Sequence, residues 1–254
     1  MINQKSCIRI KLTDTKPDIF SSKAGGLGYI PHDGNFPVDN EGNQLRLLAQ
    51  IACSEIDFEP FPKSGLLQFW ILNDEEYGGC DITEQDTFRV LYYPEIDRSV
   101  TEEEIKNKFI RSEYDEDEYN FPVFGKYGME FSDGKSINWD EFNEFVEADE
   151  EREYAMATGA YEEKYSEEEE TKYLTESVHH QIGGYPYFTQ DDPRESDEKR
   201  KHYDFLLFQL DSDYDSGADD RVMWGDAGVG NFFINSEKLK HLDFSDVLYN
   251  WDCC

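Results

Sequence analysis

Positive charge is scarce in this chain. Lys and Arg number 24 against 57 Asp and Glu, which leaves a formal net charge of −33 at pH 7 and a sequence pI near 4.3. Phosphate backbones are gripped chiefly through Lys and Arg, and anionic lipid surfaces draw polybasic segments, so nucleic-acid binding and attachment to a membrane surface are set aside. Long apolar runs are missing too. No window approaches the ~18 uninterrupted apolar residues of a membrane span, and Met1-Ile2-Asn3-Gln4-Lys5-Ser6-Cys7 lacks the basic stretch and apolar core of a secretory signal. The expectation is a soluble, cytoplasmic protein. Cysteines are few and unpatterned: Cys7, Cys53, Cys80, Cys253 and Cys254 form an odd set without a C-x-x-C pair, which fits neither a disulfide framework nor a zinc ribbon. Also missing are a G-x-S-x-G elbow, a Walker loop, a strand-linked G-x-G-x-x-G and an H-E-x-x-H pair. Against these gaps stands a hydrophobic share of 38%, with 15% aromatic residues. That is enough apolar surface to fill a core in spite of the charge.

What the chain does have is an internal echo. Gly25-Gly26-Leu27-Gly28-Tyr29-Ile30 is answered by Gly183-Gly184-Tyr185-Pro186-Tyr187-Phe188. Leu47-Leu48-Ala49-Gln50-Ile51 is answered by Leu206-Leu207-Phe208-Gln209-Leu210. Gly65-Leu66-Leu67-Gln68-Phe69-Trp70-Ile71 is answered by Gly228-Val229-Gly230-Asn231-Phe232-Phe233-Ile234. The order and spacing repeat, which predicts two pseudo-symmetric halves, roughly 20–95 and 180–245, inside a single domain of residues 1–254. The Leu-Leu-x-Gln runs are short, apolar and bounded by turn residues, as buried strands are. A buried amide left unpaired costs about 1–3 kcal/mol, so Gln50 and Gln209 either join the two halves or line a cavity.

Phe88-Arg89-Val90-Leu91-Tyr92-Tyr93 reads as a further strand, stopped by Pro94. Helical signals fall in the middle. Thr101-Glu102-Glu103-Glu104 resembles a capped first turn, Trp139, Phe142, Phe145 and Val146 recur with helical period, and an acidic stretch runs from Tyr161 to Val178. A short helix is expected from Ser236 to Leu242. Strands towards both ends and an acidic helical insert over roughly 100–178 predict an α+β fold with antiparallel-rich sheets.

Glu141 to Glu170 holds 13 acids against Arg152 and Lys164. Such a run is a solvated face, or a surface that engages a basic partner or steers a cation. The interspersed Tyr114, Tyr119, Tyr154, Tyr161, Tyr165 and Tyr173 suit an interface. Downstream, Asp211, Asp213 and Asp215 alternate along one loop, a pattern suited to a divalent cation such as Ca²⁺. The EF-hand template fails there, since Gly217 stands one place late and Val222 occupies the position of the bidentate Glu. Trp224 and Asp226 follow in a glycine-bounded turn, and Asp226 is a candidate to join Asp211 and Asp213 in a carboxylate cluster. His179 and His180 precede the second Gly-Gly block, with one of them expected to be structural.

Gly183-Gly184-Tyr185-Pro186, Leu206 to Asp213 and Met223-Trp224-Gly225-Asp226-Ala227-Gly228 together resemble the YwqG-like family of bacterial proteins. So do Lys23 to Gly26, Leu47 to Ile51 and Phe61 to Phe69, although Gly28 stands where that family often has Pro. The resemblance implies one α+β unit in a cytosolic protein and carries over no catalytic residue. The expected function is a binding protein that meets a basic protein partner through an acidic surface, as an immunity or inhibitor protein does. Gln50, Gln209, Trp224 and Asp226 are its candidate contact residues. The alternative is an enzyme or a small-ligand or cation binder built on Asp211, Asp213 and Asp226.

Overall fold

The computed structural model describes residues 3–79, 82–111, 121–138, 141, 180–213 and 220–253. Ten strands form one sheet: β1 (Gln4–Thr13), β2 (Lys23–Gly25), β3 (Arg46–Ala52), β4 (Leu66–Ile71), β5 (Phe88–Tyr93), β6 (Lys126–Ile137), β7 (Gln181–Gly183), β8 (Phe205–Asp211), β9 (Val229–Ile234) and β10 (Val247–Asp252). Their spatial order is β10-β9-β8-β7-β1-β6-β2-β3-β4-β5, with every neighbour antiparallel. Among the described residues the α-helices are α1 (Glu102–Lys108) and α2 (Ser236–Lys240). No helix of the described residues is long and apolar enough to cross a membrane.

This overturns the expected α+β fold with acidic helices in its middle: the described residues make a β-rich, nearly closed, barrel-like sheet. The predicted insert holds β6, which sits at the centre of the sheet and makes ten register pairs with β1, from Gln4↔Ile137 to Thr13↔Gly128. Gly128 and Gly134 weaken any helix there, whereas the ladder satisfies every second backbone group from each side. The helix expected at Thr101 is present, and the Thr101 hydroxyl accepts from the Glu104 amide at 3.2 Å. Ser236 also opens a helix, capped by Asn235. The patterns around Phe142 and from Tyr161 to Val178 lie outside the described residues.

Two sets of four strands flank an exchange at the centre of the sheet. β2-β3-β4-β5 and β7-β8-β9-β10 follow the same course. Even their irregularities match, since the β3–β4 ladder slips between Leu47 and Ala49 and the β8–β9 ladder between Leu206 and Phe208. β1 precedes the first set in the chain but pairs with β7 of the second, at Cys7↔Gly183 to Arg9↔Gln181. β6 precedes the second set but pairs with β2 of the first, at Lys23↔Gly128 to Gly25↔Lys126. Each half therefore borrows the leading strand of the other.

The sheet curls so that one face becomes the interior. There Phe69 of the first half stacks on Phe208 of the second at 4.6 Å and leans on Phe232 at 4.9 Å, while Phe88 meets Tyr249 at 5.3 Å. Such aromatic pairs add about 0.5–1.5 kcal/mol each beyond their buried area. The free edge of β10 is not left open: the Tyr249 amide donates to the Ile82 carbonyl at 2.8 Å, and the Trp251 indole to the Glu76 carbonyl at 2.6 Å. Smaller apolar clusters lie on the outer face. Over the first half, Leu45, Leu47, Trp70, Val100 and Ile105 are buried together, while over the second Tyr203, Leu206, Phe233 and Leu248 are.

Candidate functional site

The outer face of each half is built in cross-strand rows, and the rows differ where function can reside. The first row to consider is polar in both. After the paired glycines turn the chain with φ of 68° and 71° at Gly25 and Gly26, and 69° and 79° at Gly183 and Gly184, a loop crosses the sheet. Gln50 holds it in the first half: its Oε1 accepts from the Tyr29 amide at 2.9 Å and from Gln68 Nε2 at 2.8 Å, and its Nε2 donates to the carbonyls of Ile19 and Ser21. Gln68 Nε2 also donates to the Tyr29 carbonyl at 2.8 Å. The second half repeats this, with Gln209 Oε1 accepting from the Tyr187 amide and Asn231 Nδ2 donating to the Tyr187 carbonyl, both at 2.9 Å. The bonds described for Gln50 and Gln209 thus stay within their own halves, as clamps on a loop. The equal Gly26-to-Tyr29 and Gly184-to-Tyr187 intervals were the signal that could have disclosed the clamped tyrosines.

The next row separates the halves. In the first it runs Ala52, Leu66, Tyr93; in the second it runs Asp211, Val229, Asp252. Asp211 is only 4% exposed, and its Oδ2 has no hydrogen-bond partner among the described residues. Burial, with the charges of Asp213 and Asp252 adding to it, pushes its carboxyl up to about 7, even though the Ser212 amide favours the anion. Asp252 is also raised, chiefly by burial; its Oδ1 accepts from the amide and hydroxyl of Thr189, and its Oδ2 has no partner among the described residues. His180 Nδ1 accepts from the Asp211 amide at 2.9 Å. This fixes the ring as a structural acceptor in the place where the Ser22 hydroxyl receives the Ala52 amide at 2.8 Å.

Of the remaining sequence candidates, Asp213 reaches this row through the charge it sets against Asp211. Asp213 is partly buried, donates its amide to the Val222 carbonyl and lies 3.6 Å from Arg221 Nη1. Asp226 is exposed. Trp224 is fully buried in the interior against Tyr77 and Trp251, where it packs as core and offers no contact surface. Asp215 lies outside the described residues. Among those described, no group of three or more His, Cys, Asp or Glu side chains is placed to hold a metal ion.

One cavity of about 310 Å³ opens beside the second Gly-Gly loop. Its walls include Tyr185, Phe188 and Leu206, and its acids are Asp191, Asp192, Glu195 and Asp204. Lys5 Nζ rests 4.2 Å above the Tyr185 ring. Arg194, also at the cavity, is neutralised by Asp192 and lies 4.1 Å over the Phe233 ring. The counterparts of Phe188, Asp204 and Leu206 in the first half are Ile30, Leu45 and Leu47, which are buried under Val100 and Ile105 at the start of α1. What is filled by apolar side chains in one half is a carboxylate-lined opening in the other. Sequence reasoning passed over Asp191, Glu195 and Asp204 because none sits in a local motif; the substitution of Asp204 for Leu45 in the repeat was the available signal.

A family model described as Domain of unknown function (DUF1963) matches residues 22–253. The chain belongs to the DUF1963 family. No curated protein matches it. The match takes in both clamped loops, the aspartate row and the cavity acids of this DUF1963 domain, and it begins after β1, the strand that the halves exchange.

Proposed function

We propose that this DUF1963 protein is a cytoplasmic binding protein that engages a basic protein partner through its acidic surface, in the manner of an immunity or inhibitor protein. The observation that carries the reading is the carboxylate-lined cavity in the second half, set in a chain of net charge −33. Acids on an accessible rim steer a cationic partner and fix its orientation on docking. The paired blocks at Gly183-Gly184-Tyr185-Pro186 and Met223 to Gly228 support placing the protein with the YwqG-like members of the family.

The test is binding by interferometry to a panel of small basic proteins, at ionic strengths from about 20 to 200 mM, beside an unrelated acidic protein of equal net charge. Screening lengths shorten from roughly 20 Å to under 10 Å over that range. The reading expects a basic protein held one-to-one more tightly than by the control, with affinity declining as salt rises. Equal retention by the control throughout would sink it.

A further inference from the structure

The first half shows what its equivalent of the cavity loop does. Lys108, at the end of α1, places its ammonium against the loop that follows Gly25 and Gly26, donating to the carbonyls of Pro31 and His32 at 2.8 Å and Gly34 at 3.1 Å. Glu104, one turn back along the helix, adds a carboxylate at 3.6 Å. A lysine thereby ties the helix to the loop. Counting from the paired glycines, residues 31–34 correspond to 189–192 in the second half, the stretch that borders the cavity. Among the described residues no Lys or Arg comes within 4.0 Å of the carboxylates of Asp191, Glu195 or Asp204, although Lys240 feels the charge of Asp204: Arg194 is committed to Asp192, and Lys5 sits on Tyr185. Asp204 instead accepts from the amide and hydroxyl of Ser236, at 2.7 and 2.8 Å, which holds it in place.

We infer that the cavity receives a lysine side chain from the basic partner, in the place that Lys108 of the chain itself takes in the first half. Its aliphatic stem lies along Phe188 and Leu206, and its ammonium faces the acids of the rim. Lysine fits this mixed lining because its stem is apolar and only its tip requires charge. The inference rests on the reading that the partner is basic, and it adds the residue recognised and the place of recognition.

The probe is a rhodamine-labelled twelve-residue peptide of alternating lysine and alanine, followed by fluorescence anisotropy at about 50 mM salt. Asp191→Asn with Glu195→Gln removes two exposed rim charges. Glu41→Gln with Glu75→Gln removes two exposed charges of the first half and serves as the matched control. The cavity pair is expected to weaken binding about tenfold and the control pair less than about twofold. Glu195→Lys alone, a reversal at an exposed position, is expected to weaken it at least as much as the double neutralisation. Thermal melts establish that each variant is folded. Equal weakening by the two pairs would overturn the lysine site while leaving the acidic-surface reading in place. A wild-type protein that leaves the peptide unbound, and also fails the panel of basic proteins, would overturn both.

Discussion

At Asp211 burial and charge are at odds. Its carboxyl is pushed up to about 7 from an ordinary 3.8, so between those values the folded chain holds a proton that the unfolded chain has released. By linkage its contribution favours folding at about pH 4 and below, is lost as pH rises towards 7, and stays lost above that. Asp211→Asn removes the charge and keeps the shape. Urea unfolding at pH 4, 6 and 8 is expected to show the variant equal to wild type at pH 4 and more stable by a few kcal/mol at pH 8; an Asn variant weaker than wild type at pH 8 would contradict this. Gln50 makes the opposite case, of a buried polar group fully used. Gln50→Ala leaves the Tyr29 amide and two carbonyls without partners, and at 1–3 kcal/mol for each orphaned group it is expected to cost about 3 kcal/mol or more by the same unfolding measurement.

At the scale of elements, the paired glycines decide how each half begins. Gly25 has φ +68°, and a Cβ there would stand 2.2 Å from the Gly125 carbonyl oxygen, a backbone atom that cannot step aside. At Gly183, φ +69°, the nearest atom is 2.4 Å away on the Phe58 ring, which can shift. At Gly42, φ +91°, a Cβ would meet nothing within 4 Å. Alanine substitutions are therefore expected to rank by cost as Gly25, Gly183, Gly42. The last pays only the backbone strain, about 1 kcal/mol, and the first more than about 3 kcal/mol. Thermal unfolding of the three variants checks the order, and a Gly42→Ala loss as large as that of Gly25→Ala would contradict it.

For the whole molecule, the exchanged strands make the halves inseparable. β1 gives its hydrogen bonds to β6 and β7, and the interior is shared through Phe69, Phe208 and Phe232. Fragments 1–111 and 112–254 are expected to remain unfolded apart and to regain a cooperative transition and near-ultraviolet circular dichroism when mixed in equal amounts. A cooperative transition in 112–254 alone would show that the second half closes without β1. The same interlocking explains how the two outer faces can diverge: the shared interior supplies the stability, so the row Ala52, Leu66, Tyr93 and the row Asp211, Val229, Asp252 are free to serve different ends.

Local patterns and the repeat were legible along the chain. Apolar runs bounded by glycine and proline located β3, β4, β5, β8 and β9, because a buried strand must be apolar and must end where its ladder ends. The clamp amides were legible as buried polar residues in such runs. The strand β6 was not, since its exposed polar positions and two glycines carry little periodic signal and its partner β1 lies more than a hundred residues away. Nor was the burial of Trp224, because a turn motif read along the chain does not show what the curled sheet packs against it. The sequence by itself determined the apolar strand runs, the amides set within them and the charge. Only the tertiary structure decided that the leading strands change places and that one half keeps an acidic opening where the other is filled, since both depend on which residues the closed sheet brings opposite one another.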